Sequence, residues 1–251
     1  MKQTILTTIS ASAPSRSALG WSARRAVETD AALTLMHVVD EAERESEGRD
    51  LLEKELAFAR SIAGRLVVTG RLEFGRPALV LAAASAGFGT LVLGTHKTGY
   101  IHGRMFGSRF LGLADRVSCA LAVIPDRVDQ FRRGVVVGVE ESASAHAALR
   151  FALAEVTRSG QDLVLVSPRP GARQAELTAA AVSIVRAEGH AHFRIRSWGP
   201  GRGEAETLVD YASAAALLVL GRGESDDGFH AVNHDVLVNI SSPVIVVPSG
   251  A

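Results

Sequence analysis

Short β-branched and leucine-rich runs alternate along the chain with longer amphipathic stretches rich in Ala and Leu. That alternation predicts βαβ units built around a parallel sheet. In the first half the strands fall near residues 4–9, 33–39, 65–73, 90–93 and 120–124. Leu91-Val92-Leu93 and Val244-Ile245-Val246-Val247 are apolar without alternation, as expected of strands covered by helices on both faces.

The pattern then repeats. At a shift of 130 positions, Ile9-Ser10-Ala11-Ser12 falls on Val139-Glu140-Glu141-Ser142, and Leu19 and Trp21 fall on Leu149 and Phe151. The second-strand run from Leu33 to Val38 falls on Leu163 to Pro168 without a gap. Farther on, Leu91-Val92-Leu93-Gly94 matches Leu218-Val219-Leu220-Gly221, and Val123-Ile124-Pro125 matches Val246-Val247-Pro248. A duplicated unit sets the domain count independently of any motif. The expectation is an α/β protein of two tandem domains, 1–130 and 131–251, each a doubly wound, open, parallel five-stranded sheet. Such sheets take ligands beyond the carboxyl ends of their strands, where strand order reverses, which directs attention to the loops after strands one and four.

Composition narrows the function classes. The 251 residues carry 27 basic and 27 acidic side chains, so no global field recruits nucleic acid or an anionic membrane, and an anion site must be local. A single cysteine, Cys119, leaves no internal disulfide framework and fits a reducing compartment, with the cytoplasm as the expected location. The opening Met1-Lys2 with Ile5 and Leu6 mimics a signal peptide, but its apolar part is short and interrupted by threonines. Elsewhere no apolar run approaches the roughly 20 residues of a spanning helix, so no membrane partner is expected.

The loop after strand four stands out. Gly94-Thr95-His96-Lys97-Thr98-Gly99 continues through His102-Gly103-Arg104 to Gly107-Ser108, where a helix is predicted to begin. Glycines let backbone N–H groups approach a ligand, and a helix start offers unpaired donors and the positive end of a dipole. From Phe74 to Ala114 there is no acidic residue, whereas Arg76, Lys97, Arg104 and Arg109 are basic. Phosphate is the natural guest; a solvated flexible loop is the plain alternative.

These residues, in this order, resemble the universal stress protein family. Its ATP-binding members carry G-x2-G-x9-G-S/T here, and Gly94 with Gly107-Ser108 holds the outer positions at that separation. Leu35-Met36-His37-Val38-Val39-Asp40 looks like the family's second strand, Gly75-Arg76-Pro77-Ala78 like the turn before its third helix, and Cys119 with Ala-Leu-Ala-Val-Ile-Pro like its ending. The resemblance runs over essentially the whole chain, twice, and implies the universal stress protein or adenine nucleotide hydrolase-like fold. It implies a bound adenine nucleotide, ATP foremost, with Ile9, Ser10 and Val38 around the adenosine. Gly94, Thr95, His96, Lys97, Gly107, Ser108 and Arg109 would then line the phosphates. Two positions depart from the family: Lys97 stands where the middle glycine belongs, and Ser10 where ATP-binding members usually have an aspartate. Members that bind no ATP also exist.

The second half lacks the frame. His230-Ala231 falls where Gly107-Ser108 should be, and Arg222-Gly223-Glu224-Ser225-Asp226-Asp227 brings three carboxylates that would repel a phosphate. This half reads as structural or regulatory, pairing with the first as an intramolecular pseudo-dimer or supporting a homodimer, as the resemblance implies. Asp226, Asp227, His230, His234 and Asp235 read as solvated rather than as a metal site, and Gly199-Pro200-Gly201-Arg202-Gly203 as a turn rather than a dinucleotide fingerprint. No Walker loop, nucleophile elbow or carboxylate base lies near the first loop, so no catalytic residue is assigned. Two functions remain in view: a non-catalytic nucleotide-binding stress or signalling protein, and a nucleotide-independent dimerisation and partner-docking module.

Overall fold

A computed structural model describes residues 3–39, 44–95, 113–167, 172–190, 193–197, 203–223 and 229–250. The chain divides into two units, Met1–Val128 and Asp129–Ala251. In unit 1 the described elements are β1 (Thr4–Thr8), α1 (Ala13–Thr29), β2 (Ala32–Val39), α2 (Glu45–Ala63), β3 (Val68–Phe74), α3 (Pro77–Ser85), β4 (Thr90–Thr95) and β5 (Ala120–Pro125). In unit 2 they are β6 (Val135–Gly138), α4 (Ala143–Ser159), β7 (Leu163–Ser167), α5 (Ala172–Ala187), β8 (Phe193–Ser197), α6 (Glu204–Ser213), β9 (Leu217–Gly221), α7 (Phe229–Asn239) and β10 (Val244–Val247).

All the pairings within unit 1 are parallel and give the order β3-β2-β1-β4-β5. Unit 2 has the same plan, β8-β7-β6-β9-β10. The runs read as doubly covered strands are buried throughout: Leu91, Val92 and Leu93 in β4, and all four residues of β10. In unit 1 Leu6, Leu19, Leu33 and Leu121 join them in the core, none more than 1% exposed, and that apolar burial drives the fold.

The repeat extends to the helix ends. Ser12 and Ser142 both sit in extended backbone, and their hydroxyl oxygens accept the N–H of Ser15 and Ala145. Each satisfies one of the donors that a helix start leaves open. At the other end Asp30 (φ 50°) and Gly160 (φ 64°) close α1 and α4 in the left-handed region. Several strand ends shift by one or two residues, and one start shifts further. The third strand starts at Val68 rather than near residue 65, because the turn off α2, with Gly64 at φ 60° and a Leu66 N–H to Ala63 carbonyl bond, takes up the intervening residues.

Candidate functional site

In unit 1 the order reverses between β1 and β4, which run side by side although β1 leads to β2 in the chain. β1 pairs Thr8 with Met36 of β2 and Thr7 with Val92 of β4. The Ile9 N–H carries the pattern one residue on, donating to the Met36 carbonyl at 2.9 Å. Continued in that register, Ser10 stands level with Val38 of β2 and Thr95 of β4. The structure thus gathers Ile9, Ser10, Val38, Gly94 and Thr95 at one end of three adjacent strands. Ile9 is buried and Ser10 exposed, with Val38, Gly94 and Thr95 between. His96, Lys97, Gly107, Ser108 and Arg109 lie outside the described residues.

The turn from β1 into α1 is tied down by short polar side chains. The Ser10 N–H donates to Ser15 Oγ at 2.8 Å, and the Ser10 and Ser12 hydroxyls are 2.9 Å apart. His37 of β2 adds a tie from the neighbouring strand: its Nδ1 lies 2.9 Å from the Ile9 carbonyl oxygen. A carbonyl only accepts, so Nδ1 carries the proton in this bond. Pro14 brings no N–H to the first turn of α1, and the Ser15 N–H is taken by Ser12.

Gly94 has a packing reason to be glycine. A Cβ there would overlap the Pro14 carbonyl and lie 2.7 Å from the Ser15 nitrogen, because the first turn of α1 rests on the end of β4. The same arrangement recurs in unit 2, where a Cβ on Gly221 would lie 2.6 Å from the Ala145 nitrogen. The glycine at the end of the fourth strand therefore persists in the copy whose loop is acidic, and contact with the helix accounts for it there.

Unit 2 differs in the polar side chains around this point. Glu140 stands at the position of Ser10, beside a small cavity bounded by Val139, His146, Leu149 and Leu177. Half-buried Glu204, the first residue of α6, has its carboxyl pushed up from 4.5 to about 7, by burial first and by the Glu140 carboxylate second. The favourable helix dipole at that position does not compensate. The β9 exit is held by the Gly223 N–H to Ser144 Oγ (3.0 Å), and by Asn233 Nδ2 to the carbonyls of Gly221 (2.9 Å) and Arg222 (3.0 Å). Ser167, the counterpart of His37, reaches instead to Thr178 Oγ1 of α5 at 2.9 Å.

Sequence reasoning missed His37, Ser15 and Glu204. His37 carried a signal, being an imidazole in a mainly apolar strand next to Val38. Ser15 and Glu204 carried none, since their roles depend on contacts or burial that the local sequence does not specify. Cys119 is buried immediately before β5. His230 and His234 both fall in α7, while Asp226 and Asp227 lie outside the described residues. No helix among the described residues is long and apolar enough to cross a membrane.

Comparison with known proteins supplies the family. Residues 1–125 match the family model described as the Universal stress protein family. Universal stress protein Rv2005c of Mycobacterium tuberculosis is 26% identical, with 95% of this chain and 94% of that protein aligned. Among solved structures, a universal stress protein from Archaeoglobus fulgidus superposes with a TM-score of 0.78 at 16% identity, covering 98% of this chain and 96% of its own. A structure described as a putative universal stress protein from Pseudomonas aeruginosa gives 0.68 at 14% identity, covering 98% of this chain and 93% of its own. At such identities the structural likeness speaks to the fold alone. Together with the sequence match across the first half, the ordered motifs and the repeated doubly wound sheet mean that the chain belongs to the universal stress protein family.

Proposed function

We propose that unit 1 binds an adenine nucleotide, ATP foremost, at the carboxyl ends of β1, β2 and β4, and that the protein serves stress response or signalling without turning the nucleotide over. The observation that carries this reading is the reversal of strand order between β1 and β4, with β4 lying inside the acid-free, basic segment from Phe74 to Ala114. Open parallel sheets use that crevice for ligands. Ile9, Ser10 and Val38 would flank the adenosine, while Gly94, Thr95, His96, Lys97, Gly107, Ser108 and Arg109 would face the phosphates. Between Phe74 and Ala114 the sequence offers no carboxylate to act as general base, which supports binding rather than hydrolysis. Isothermal titration of the full chain with ATP, ADP, AMP and cyclic AMP tests the reading. Saturable heat with at least one of them is expected, and a folded protein that gives none would end it.

A second reading, a nucleotide-independent docking module, is favoured by one observation: the glycine at the end of the fourth strand is required by helix packing in both units. A Gly107→Asp variant separates the two. Loss of nucleotide heat with loss of cellular function supports the first, and unaltered cellular function the second.

A further inference from the structure

We infer that His37 is a positioning residue for the nucleotide site of unit 1, holding the β1 exit at Ile9 and Ser10 in the shape that receives the adenosine portion. The inference rests on the proposed nucleotide reading and names the group that shapes its pocket.

The geometry is specific. After β1 the chain must leave the sheet and turn into α1, and residues beyond a strand end lose the ladder that fixed them. The Ile9 N–H is still held by the Met36 carbonyl, so one side of that peptide remains in the sheet. Its carbonyl is held by the His37 ring, from a side chain one position beyond Met36 on the neighbouring strand. Ser10 then has its own N–H fixed by Ser15. Three bonds, two from β2 and one from α1, set the two residues that would meet the adenosine.

His37 packs against α2. A Cβ on Gly48 of α2 would lie 3.1 Å from the imidazole Cδ2 and 3.0 Å from Val39 and Leu72, so the bare helix face at Gly48 makes room for the ring, and a side chain there would press on it. The side chain is half-buried.

The duplicated fold supplies an internal control. In unit 2 the Val139 N–H donates to the Val166 carbonyl at 2.8 Å, the same backbone bond as Ile9 to Met36. The residue that follows is Ser167, turned to Thr178 of α5. Among the described residues, the imidazole tie to the strand-one exit therefore occurs in the copy that keeps the basic loop and has no counterpart at Ser167 in the other. A tie needed merely to build the sheet would be needed in both.

The experiment is isothermal titration of the full-length protein with ATP and with AMP, for the wild type and the His37→Leu, His37→Asn and Ser167→Ala variants, with thermal unfolding measured on each. Asn places an N–H donor near the position of Nδ1, whereas Leu fills volume without one. Expected is a loss of about three- to tenfold in affinity for His37→Leu with both nucleotides, the worth of one net hydrogen bond. His37→Asn should recover most of it, and Ser167→Ala should bind as the wild type. AMP suffering as much as ATP assigns the effect to the adenosine end. If the wild type binds and His37→Leu binds equally well, or if Asn and Leu lose affinity equally, the positioning role is overturned while nucleotide binding stands. A wild type that binds neither nucleotide overturns both. Should His37→Leu fail to fold, the comparison of His37→Asn with the conservative but longer His37→Gln decides, since only the former puts its donor at the Nδ1 position.

Discussion

At position 94 a single missing methyl group lets the first turn of α1 lie on the end of β4, and the same economy operates at position 221. Because the obstructing atoms are backbone, neither site can relax by a rotamer change. Gly94→Ala is expected to destabilise unit 1 by about 3 kcal/mol, as overpacking against a rigid neighbour does. Gly221→Ala should do the same to unit 2, and thermal unfolding followed by circular dichroism measures both. A Gly94→Ala protein with an unchanged midpoint would remove the packing account and return the residue to the ligand. Glu204 makes a different claim at this scale. Its folded pKa of about 7 lies above the value of 4.5 for the free side chain, so between these values the folded state holds more protons than the unfolded one. Stability then falls as pH rises from 4.5 through about 7 and stays lowered above it. A fully shielded group would cost on the order of 3 kcal/mol at high pH; solvent screening of this half-buried carboxyl cuts that to about 1–2 kcal/mol. Glu204→Gln should therefore raise the urea midpoint at pH 8 and leave it nearly unchanged at pH 4.5. A stabilisation independent of pH would contradict the shift.

Elements were legible in the sequence to the extent that their causes were local. The match of Ser12 to Ser142 predicted two equivalent helices, and α1 and α4 span equivalent residues at the same shift, capped by the same hydroxyl chemistry. Replacing either serine by alanine should cost about 1 kcal/mol of stability, read from urea unfolding. What the sequence did not disclose is how elements clamp one another. Arg16 of α1 lays its guanidinium over the Phe58 ring of α2, 3.7 Å from the centroid, and pairs with Glu55 at 2.6 Å. Glu55 is only 8% exposed at its side chain, while Arg16 is 43% exposed. The partners are 39 positions apart, and nothing near either residue marks the other. Removing the outer partner strands a buried carboxylate, whereas replacing both with apolar groups removes the demand. Arg16→Ala is expected to cost roughly 2 kcal/mol, less than the full penalty because water reaches the guanidinium. The Arg16→Met, Glu55→Leu double variant should regain most of that. A double variant as unstable as the single one would show that α1 and α2 are held by packing elsewhere.

Over the whole molecule, duplication produced two near-identical frames and one asymmetric chemistry. The frame was readable because apolar strands recur with their spacing intact. The candidate site was readable where a motif or the family resemblance named residues, as at Ile9, Ser10, Val38, Gly94 and Thr95; the ties from His37 and Ser15 arise where separate strands and a helix meet. The asymmetry makes a prediction that uses one half as the reference for the other. Ile9 and Val139 have the same backbone bond in the two units, to Met36 and to Val166. Ligand that binds only the closed form of unit 1 stabilises it by about 2.7 kcal/mol at a hundredfold excess over Kd, which slows exchange through opening by about a hundredfold. Hydrogen exchange of the full chain with saturating ATP should therefore slow the Ile9 amide. The Val139 amide and the Arg222 amide, bonded to the Val247 carbonyl in unit 2, should keep their rates. Equal slowing of Ile9 and Val139 would mean that both copies take nucleotide despite Glu140 and the acidic loop, and the assignment of the site to one unit would fall.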